Sequence, residues 1–193
     1  MLISIAKKLV YSALLLFPGS VLSQYQVNGN ATTLSCNCYQ LTPNLNTQSG
    51  SVWNINSISL NQPFDFTFDI FLGCNNGGAD GIVFGLQPVG TGIGTSGGGM
   101  GFQGVTPSVG FFIDTWQNTN NNDPIADHFS INANGDINHN GGVNDLAGPA
   151  SLPFNIEDCA WHTLQITWNP LTFTLQGYID NVLYLTYLSL IHI

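Results

Sequence analysis

The sequence predicts an all-β antiparallel sandwich or jelly roll. Apolar residues alternate with other residues at a period of two in 64–70 and 164–168, as in strands that bury one face. Turn-forming residues separate these segments from further strand candidates, and 90–101 is rich in glycine. Beyond the first 23 residues the pattern shows no convincing helical periodicity. Many short strands separated by turns favour packed antiparallel sheets.

Five further segments are predicted as strands because they are apolar or alternating and are bounded by turn signals: 81–87, 109–115, 129–133, 172–179 and 182–187. Roughly 170 residues follow the first 23, which is typical of a single domain. The hydrophobic share of 44% is enough for a packed core. We therefore expect one domain over 24–187.

The first 23 residues have the layout of a secretory signal peptide. Lys7 and Lys8 precede an apolar stretch, 9–17, that is too short to span a bilayer. Cleavage after Ser23 would remove both basic residues and change the formal charge from -9 to -11. Nucleic acid and anionic membranes are unsuitable partners for such a chain, whereas neutral sugars and divalent cations are suitable. We expect a secreted or cell-surface protein without membrane insertion.

The four cysteines predict disulfides rather than a metal site, because an exported chain favours disulfides and no Cys-x-x-Cys pair is present. Cys36 and Cys38 are too close in sequence to pair comfortably with each other. We favour a bond between Cys74 and Cys159. One of the first two cysteines is left to pair with a cysteine outside this sequence.

The segment 111–128 places oxygen donors at the end of an apolar strand and in the loop that follows. Asp114 ends the strand, Asn118 and Asp123 lie in the loop, and Trp116 offers a backbone carbonyl. Ca²⁺ prefers about six to eight oxygen ligands of these kinds. An unpaired carboxylate at a buried strand end is costly, and a cation would remove that cost. We expect a calcium site, although Asn and Asp are also common in ordinary surface loops.

Three segments in this order resemble the L-type (legume-lectin-like) domain: 78–84, 97–102 and 111–131. The resemblance extends from about Cys38 to Tyr187 and is greatest with secreted bacterial versions found on large surface proteins. It implies a concanavalin-like jelly-roll β-sandwich and a calcium-dependent lectin function. It also implies that the chain is one module of a larger multidomain surface protein whose partners are glycans or polysaccharides.

The resemblance implies a specific sugar site. Asp80 would accept hydrogen bonds from sugar hydroxyls, and a backbone N–H near Gly98 or Gly99 would donate one. Asn118 would give its oxygen to calcium and its NH₂ group to sugar. Trp116 would give its carbonyl to calcium and its ring to the sugar, although ordinary core packing is an alternative for this side chain. The family also carries a cis peptide bond immediately before the residue matching Asp80.

One departure concerns the second, transition-metal site of the plant proteins. Phe112 stands where they place a glutamate ligand, and it cannot bind a metal. His128 matches their metal-binding histidine, but only Asp114 and Asp123 would remain beside it, and calcium shares both. A Mn²⁺ site is therefore not expected. Hydrogen bonding to Asp123 or Asp114 is the alternative role for His128. Animal members of the family need calcium alone.

Two rival functions remain open. A sandwich-fold glycoside hydrolase needs two carboxyl groups facing one cleft. The only glutamate, Glu157, lies beside Asp158 in a turn-like stretch, and Asp65 and Asp69 alternate along one strand. The second rival is an adhesive or structural module that has lost sugar binding. We expect a non-enzymatic protein, because the paired carboxylates of a hydrolase strand are not recognisable.

The remaining polar residues show no further site spacing. His139 and His162 are predicted to be surface or turn residues, and 142–145 a loop. The last six residues, 188–193, have one reverse translation that matches a transposase adapter used in sequencing libraries. This match suggests that 188–193 is an adapter-derived tail, that the natural chain continues, and that the final strands of the sheet are missing.

Overall fold

The computed structural model describes residues 1–5, 24–92 and 96–189, and these residues form thirteen antiparallel strands with two short 3-10 helices. The strands are β1 (Leu2–Ile5), β2 (Tyr25–Gly29), β3 (Thr32–Ser35), β4 (Cys38–Gln40), β5 (Gly50–Asn54), β6 (Phe64–Phe71), β7 (Gly81–Leu86), β8 (Val109–Asp114), β9 (His128–Ala133), β10 (Asp145–Ser151), β11 (His162–Asn169), β12 (Thr174–Ile179) and β13 (Val182–Leu188). The 3-10 helices are Gly97–Gly99 and Thr119–Asn121. The predicted all-β class is confirmed.

Two sheets enclose the core. One sheet has seven strands in the order β13-β12-β11-β6-β1-β4-β3, and the other has four in the order β10-β9-β8-β7, while β2 pairs with β5 separately. Alternate residues of β11 are buried, as the period of two predicts. Phe111 and Phe129 from the smaller sheet are fully buried in the same cluster as Ile70 and Ile166 from the larger one. Burial of these side chains between the sheets is the main favourable contribution to the fold.

Strand β8 is buried on both faces. Phe111 and Ile113 belong to the main core, whereas Phe112 packs against Phe102 and Val105 in a second, smaller cluster. The rings of Phe112 and Phe102 lie edge to face with centroids 5.8 Å apart. The segment that follows the first 3-10 helix therefore covers the outer face of the four-stranded sheet.

All seven predicted strand segments are strands in the structure, with ends that shift by up to two residues. Strands β1 to β5 and β10 were not predicted. The segments of β2 and β3 are rich in Asn and Thr, and β10 contains Gly148 and Pro149, which are turn-forming residues. The prediction that 142–145 is entirely loop is wrong at Asp145, which begins β10.

The predicted signal peptide and tail lie largely outside the described residues, which omit 6–23 and 190–193. Leu2–Ile5 forms β1 and pairs with both β4 and β6. Cleavage after Ser23 stays a prediction. Across 1–5, 24–92 and 96–189 no helix has the length and apolar character that a membrane crossing requires.

Candidate functional site

Three neighbouring strand ends bring the predicted site residues together. In the four-stranded sheet Gly81 of β7 lies opposite Asp114 of β8, and Asp114 lies opposite His128 of β9. Asp80 immediately precedes Gly81, and its carbonyl accepts a hydrogen bond from the Thr115 N–H at 3.1 Å. Antiparallel register therefore places residues from distant parts of the chain at one edge of the sheet.

The loop after β8 folds around two buried carboxylates. The Trp116 N–H donates to Asp114 Oδ1 at 2.8 Å, and the Asn118 N–H donates to Asp123 Oδ2 at 2.7 Å. Asp114 is 5% exposed and Asp123 is 7% exposed. The pKa of Asp114 is raised to about 7, chiefly by burial and also by the neighbouring carboxylates of Asp123 and Asp80, against the opposing effect of the Trp116 hydrogen bond.

Two oxygens of this loop have no hydrogen-bond partner among the described residues: Asn118 Oδ1 and Asp123 Oδ1, both buried. Buried polar atoms are rarely left unpaired in native proteins. Asn118 Oδ1, the carboxylates of Asp114 and Asp123 and the carbonyl of Trp116 form a donor set of oxygens that fits Ca²⁺. A bound calcium ion would balance the buried negative charge and hold the Asn118 oxygen.

A small space opens between Asp80, Gly98 and Asn118. A Cβ atom added to Gly98 would lie 3.6 Å from Asn118 Oδ1 and 3.9 Å from Asp80 Oδ1. The peptide bond between Ala79 and Asp80 is cis, as the resemblance implies. Burial raises the pKa of Asp80. A hydrogen-bond acceptor, an amide group and the backbone of Gly98 therefore border one pocket, while the adjoining Gly99 is buried.

Trp116 lies at the surface with 47% of its area exposed. The alternative that it is an ordinary core residue is therefore wrong. Its neighbours in sequence, Thr115 and Gln117, border the same loop. An exposed aromatic ring offers a flat apolar surface for the C–H groups of a sugar.

A disulfide supports the loop that carries Asp80. Cys74 is bonded to Cys159, as predicted, and the Cys159 N–H donates to the Gly73 carbonyl at 2.9 Å. Cys36 and Cys38 are free. The Glu157 carboxylate packs so closely on Gly78 that the structure has no room there for a Cβ atom. The 155–159 segment therefore holds the 73–80 loop in place.

Glu157 provides a pH-dependent prediction. It is 5% exposed, and burial raises its pKa to about 7, with a smaller contribution from the carboxylate of Asp127. Between the ordinary glutamate pKa of 4.5 and about 7, the residue is ionised in the unfolded chain and neutral in the folded chain, so the folded state loses stability as pH rises through this window. We expect Glu157→Gln to gain up to about 3 kcal/mol over the wild type between pH 4 and pH 8.

Thermal melting of both proteins across this pH range measures that difference, and contributions from other titrating groups cancel between them. Asp65→Asn is a suitable control, because Asp65 is exposed and its carboxylate contacts the neutral side chain of Gln165. An equal melting difference at pH 4 and pH 8 for Glu157→Gln would show that Glu157 is not held neutral by its surroundings.

The side chains of two histidines are buried, so the prediction of surface positions is wrong, although His139 does lie in a loop. The side chain of His139 is 4% exposed, and its Nε2 lies 3.8 Å from Asp123 Oδ1. His162 begins β11 and contacts Asp180 at 2.7 Å and Asp158 at 3.1 Å. These carboxylates compensate for burying an imidazole, and no spacing in the sequence would reveal them.

His128 is almost completely buried, and burial lowers its pKa and that of His139. The hydrogen bond expected from His128 to Asp123 or Asp114 is not formed. Its Nε2 lies 4.0 Å from Asp123 Oδ1, beyond hydrogen-bond range, and its Nδ1 lies 3.2 Å from the Ala126 carbonyl.

The carboxylates considered for a hydrolase lie outside the candidate sugar site around Asp80. Asp65 accepts a hydrogen bond from Gln165 at 2.8 Å, and Asp69 accepts one from Thr163 at 3.4 Å. Both belong to β6 in the seven-stranded sheet and alternate with its core residues, so they occupy its outer face. Asp80 belongs to the loop before the other sheet, and Glu157 is buried against Gly78.

The family profile of the legume lectin beta-barrel domain matches residues 18–192. The chain belongs to the legume lectin domain family. Legume lectins of known structure share its jelly-roll sandwich. Basic winged bean lectin, solved with Tn-antigen, superposes with a TM-score of 0.68 at 20% identity, over 88% of this chain and 76% of the lectin. Lectin II from Ulex europaeus also gives 0.68, at 19% identity, over 88% and 78%.

Two other comparisons add context. A lectin from Bauhinia forficata, solved in complex with GalNAc, has a TM-score of 0.64 at 18% identity, over 88% of this chain and 80% of that one. The pesticidal crystal protein Cry22Aa of Bacillus thuringiensis is 37% identical over 111 residues, which are 56% of this chain and 15% of that protein. The chain therefore spans only a small part of the length of this pesticidal crystal protein.

Membership confirms the predicted fold and resemblance, and legume lectins are non-enzymatic carbohydrate-binding proteins that generally bind metal ions. The structure brings the predicted residues Asp80, Gly98 and Asn118 to one pocket. It places the predicted ligands Asp114 and Asp123 beside that pocket. Sequence reasoning missed the supporting or neighbouring groups, which are His139, Asp145 and Glu157.

Proposed function

We propose that this chain is a calcium-dependent, non-catalytic glycan-binding domain of a secreted or cell-surface protein. The observation that carries the proposal is the convergence of Asp80, Gly98 and Asn118 on one pocket beside two buried carboxylates. Legume lectin membership supplies the coarser conclusion that the fold binds carbohydrate. The finer roles of individual residues follow from their chemistry.

The pocket suits a sugar with neighbouring hydroxyl groups. The Asp80 carboxylate can accept hydrogen bonds from two hydroxyls at once, and such bonds to a charged group contribute about 1.5 to 3 kcal/mol each. Gly98 has no side chain that would keep a sugar away from its backbone. The exposed ring of Trp116 would contact the apolar face of the sugar ring.

The buried charge beside the pocket supports the calcium dependence. Asp114 and Asp123 lie together with little exposure, and Lys7 and Lys8 are the only Lys or Arg residues of the sequence. Asp114, Asn118 and Asp123 would hold calcium through side-chain oxygens, with the Trp116 carbonyl. Asn118 would serve both functions, because an amide can give its oxygen to calcium while its NH₂ group donates to sugar.

The proposed location rests on the predicted signal peptide and on the Cys74–Cys159 disulfide, since such bonds persist in oxidising compartments. The match to a short part of a much larger pesticidal crystal protein supports a role as one module of a multidomain protein. Individual lectin sites are weak, and several copies on one assembly would raise avidity.

A glycan array probed with and without calcium tests the proposal. Galactose- and GalNAc-terminated glycans belong on the array because related lectins were solved with such sugars. We expect binding that is lost in EDTA and restored by added calcium. Binding that is unaffected by EDTA would contradict the calcium dependence, and no binding to any glycan would contradict the lectin function.

A reducing-sugar assay on polysaccharides separates a lectin from a hydrolase. We expect no release of reducing ends above the rate without protein. Release that is abolished by Glu157→Gln or by Asp69→Asn would instead support the hydrolase alternative, since those carboxyl groups could then provide acid or base catalysis.

A further inference from the structure

A cluster of three donor side chains lies behind the proposed calcium site. The ligand atoms of Asp123, His128 and His139 all lie within 4.8 Å of one another. His128 Nε2 is 4.0 Å from Asp123 Oδ1, and His139 Nε2 is 3.8 Å from the same oxygen. The side chain of Asp123 is 0% exposed, that of His128 1% and that of His139 4%.

These contacts are too long for hydrogen bonds. Within the described part of the chain, Asp123 Oδ1 and His128 Nε2 have no hydrogen-bond partner. Two donors bound at about 2.1 Å from one tetrahedral zinc ion lie about 3.4 Å apart. A contraction of about half an ångström at each Asp123 contact, together with a closer approach of the two imidazole nitrogens, which lie within 4.8 Å of each other, would bring the three donors into ligand positions. A bound metal ion would satisfy the unpaired buried atoms.

Each imidazole has its second nitrogen near an oxygen acceptor. His128 Nδ1 faces the Ala126 carbonyl at 3.2 Å, and His139 Nδ1 lies 4.0 Å from Asp145 Oδ1. Histidines that bind metals almost always donate their other N–H to a carbonyl or carboxylate, which fixes the ring and directs the free nitrogen at the metal. His128 and His139 therefore each have an oxygen neighbour on the side of the second ring nitrogen, as metal-binding histidines do.

We propose that His139 replaces the glutamate ligand that this chain lacks at Phe112, and that it completes, with Asp123 and His128, a binding site for a borderline transition-metal dication of the Zn²⁺ class. Two imidazole nitrogens with one carboxylate suit Zn²⁺ or Co²⁺ better than the harder Mn²⁺, which prefers oxygen ligands. Three protein ligands leave a fourth position for water, or for Asp114, whose strand pairs with His128.

His139 reaches the site from a different element than the family pattern uses. It lies in the loop between β9 and β10, where its N–H donates to the Asn121 carbonyl at 2.8 Å. Phe112, at the position of the family's glutamate ligand, is committed to packing against Phe102. The family's glutamate ligand on β8 is thereby replaced by His139 from the loop between β9 and β10. An imidazole nitrogen takes the place of a carboxylate oxygen.

The proposed site shares Asp123 with the loop that borders the sugar pocket. Asp123 Oδ2 accepts the Asn118 N–H, while Oδ1 faces both imidazoles. Occupancy by Zn²⁺ would therefore restrain Asp123 and the β9–β10 loop even when calcium is already bound. We expect Zn²⁺ to raise the melting temperature of the calcium-saturated protein.

The test titrates metal-free full-length protein with Co²⁺ in saturating calcium and follows visible absorption, with Zn²⁺ displacement as confirmation. We expect one equivalent of Co²⁺ with the intense spectrum of a four-coordinate site, displaced by one equivalent of Zn²⁺. His139→Ala should weaken Co²⁺ binding by at least about a hundredfold, and Asp145→Asn by about tenfold, because outer partners contribute less than ligands.

His162→Asn is the matched control, because this histidine is buried against other aspartates and should leave Co²⁺ binding unchanged. His139→Gln provides a second variant if the alanine protein unfolds, with circular dichroism as the check on folding. Absence of stoichiometric Co²⁺ binding, or unchanged binding in folded His139 variants, would overturn the proposal. Calcium and glycan binding are measured separately, so failure of the lectin function would leave this result interpretable.

Discussion

Replacing Asp80 by asparagine is expected to abolish detectable glycan binding while calcium binding survives. The carboxylate borders the pocket with Gly98 and Asn118. The amide offers one acceptor oxygen and presents an NH₂ group where a hydroxyl needs an acceptor. Loss of one hydrogen bond to a charged group weakens binding by about tenfold to a hundredfold, and the bond that remains would be to a neutral amide oxygen.

Calorimetric titration with the best ligand from the glycan array measures this loss. Asp65→Asn makes the same chemical change on the outer face of the other sheet and should bind as the wild type does. The melting temperature of Asp80→Asn should still rise with calcium, which distinguishes a lost sugar contact from a damaged metal site. Wild-type glycan affinity in Asp80→Asn would place the sugar site elsewhere.

Replacing Asp114 by asparagine is expected to remove the response of stability to calcium. This residue is buried, and burial raises its pKa to about 7, so its charge is tolerated best with a cation beside it. At a calcium concentration of a hundred times Kd, binding stabilises the wild type by about 2.7 kcal/mol. For a domain of this size that corresponds to roughly 5 to 10 °C in Tm.

The amide keeps the hydrogen bond from the Trp116 N–H, because its oxygen can replace Asp114 Oδ1. We therefore expect metal-free Asp114→Asn at pH 8 to melt at the temperature of the metal-free wild type or above it, while glycan binding is lost. Differential scanning calorimetry with EDTA or calcium checks both statements. An undiminished rise in Tm with calcium would exclude Asp114 as a ligand.

The fold could be predicted where packing imposes a period. Strands β6 and β11 alternate between core and surface, so their sequences show the pattern directly. Strand β8 is buried on both faces and was recognised by its apolar run instead. Strand β3 is exposed throughout, and polar residues there carry no signal that distinguishes an edge strand from a loop.

The candidate site was predictable to the extent that its ligands are close in sequence. Asp114, Asn118 and Asp123 lie on one strand end and its loop, so their chemistry could be interpreted without a structure. His139 could not be assigned, because the hydrogen bond of its backbone to Asn121 and the turn before β10 bring it to Asp123. Glu157 likewise reaches Gly78 only through the Cys74–Cys159 disulfide and tertiary packing.

The central claim is that the oxygens of Asp114, Trp116, Asn118 and Asp123 bind calcium and thereby order the glycan pocket. Calorimetric titration of calcium into metal-free protein, followed by the glycan, tests it most directly. The structure predicts one equivalent of calcium and a glycan heat that is present only after calcium has been added. A glycan heat of equal size without calcium, or no heat from calcium at all, would contradict the claim.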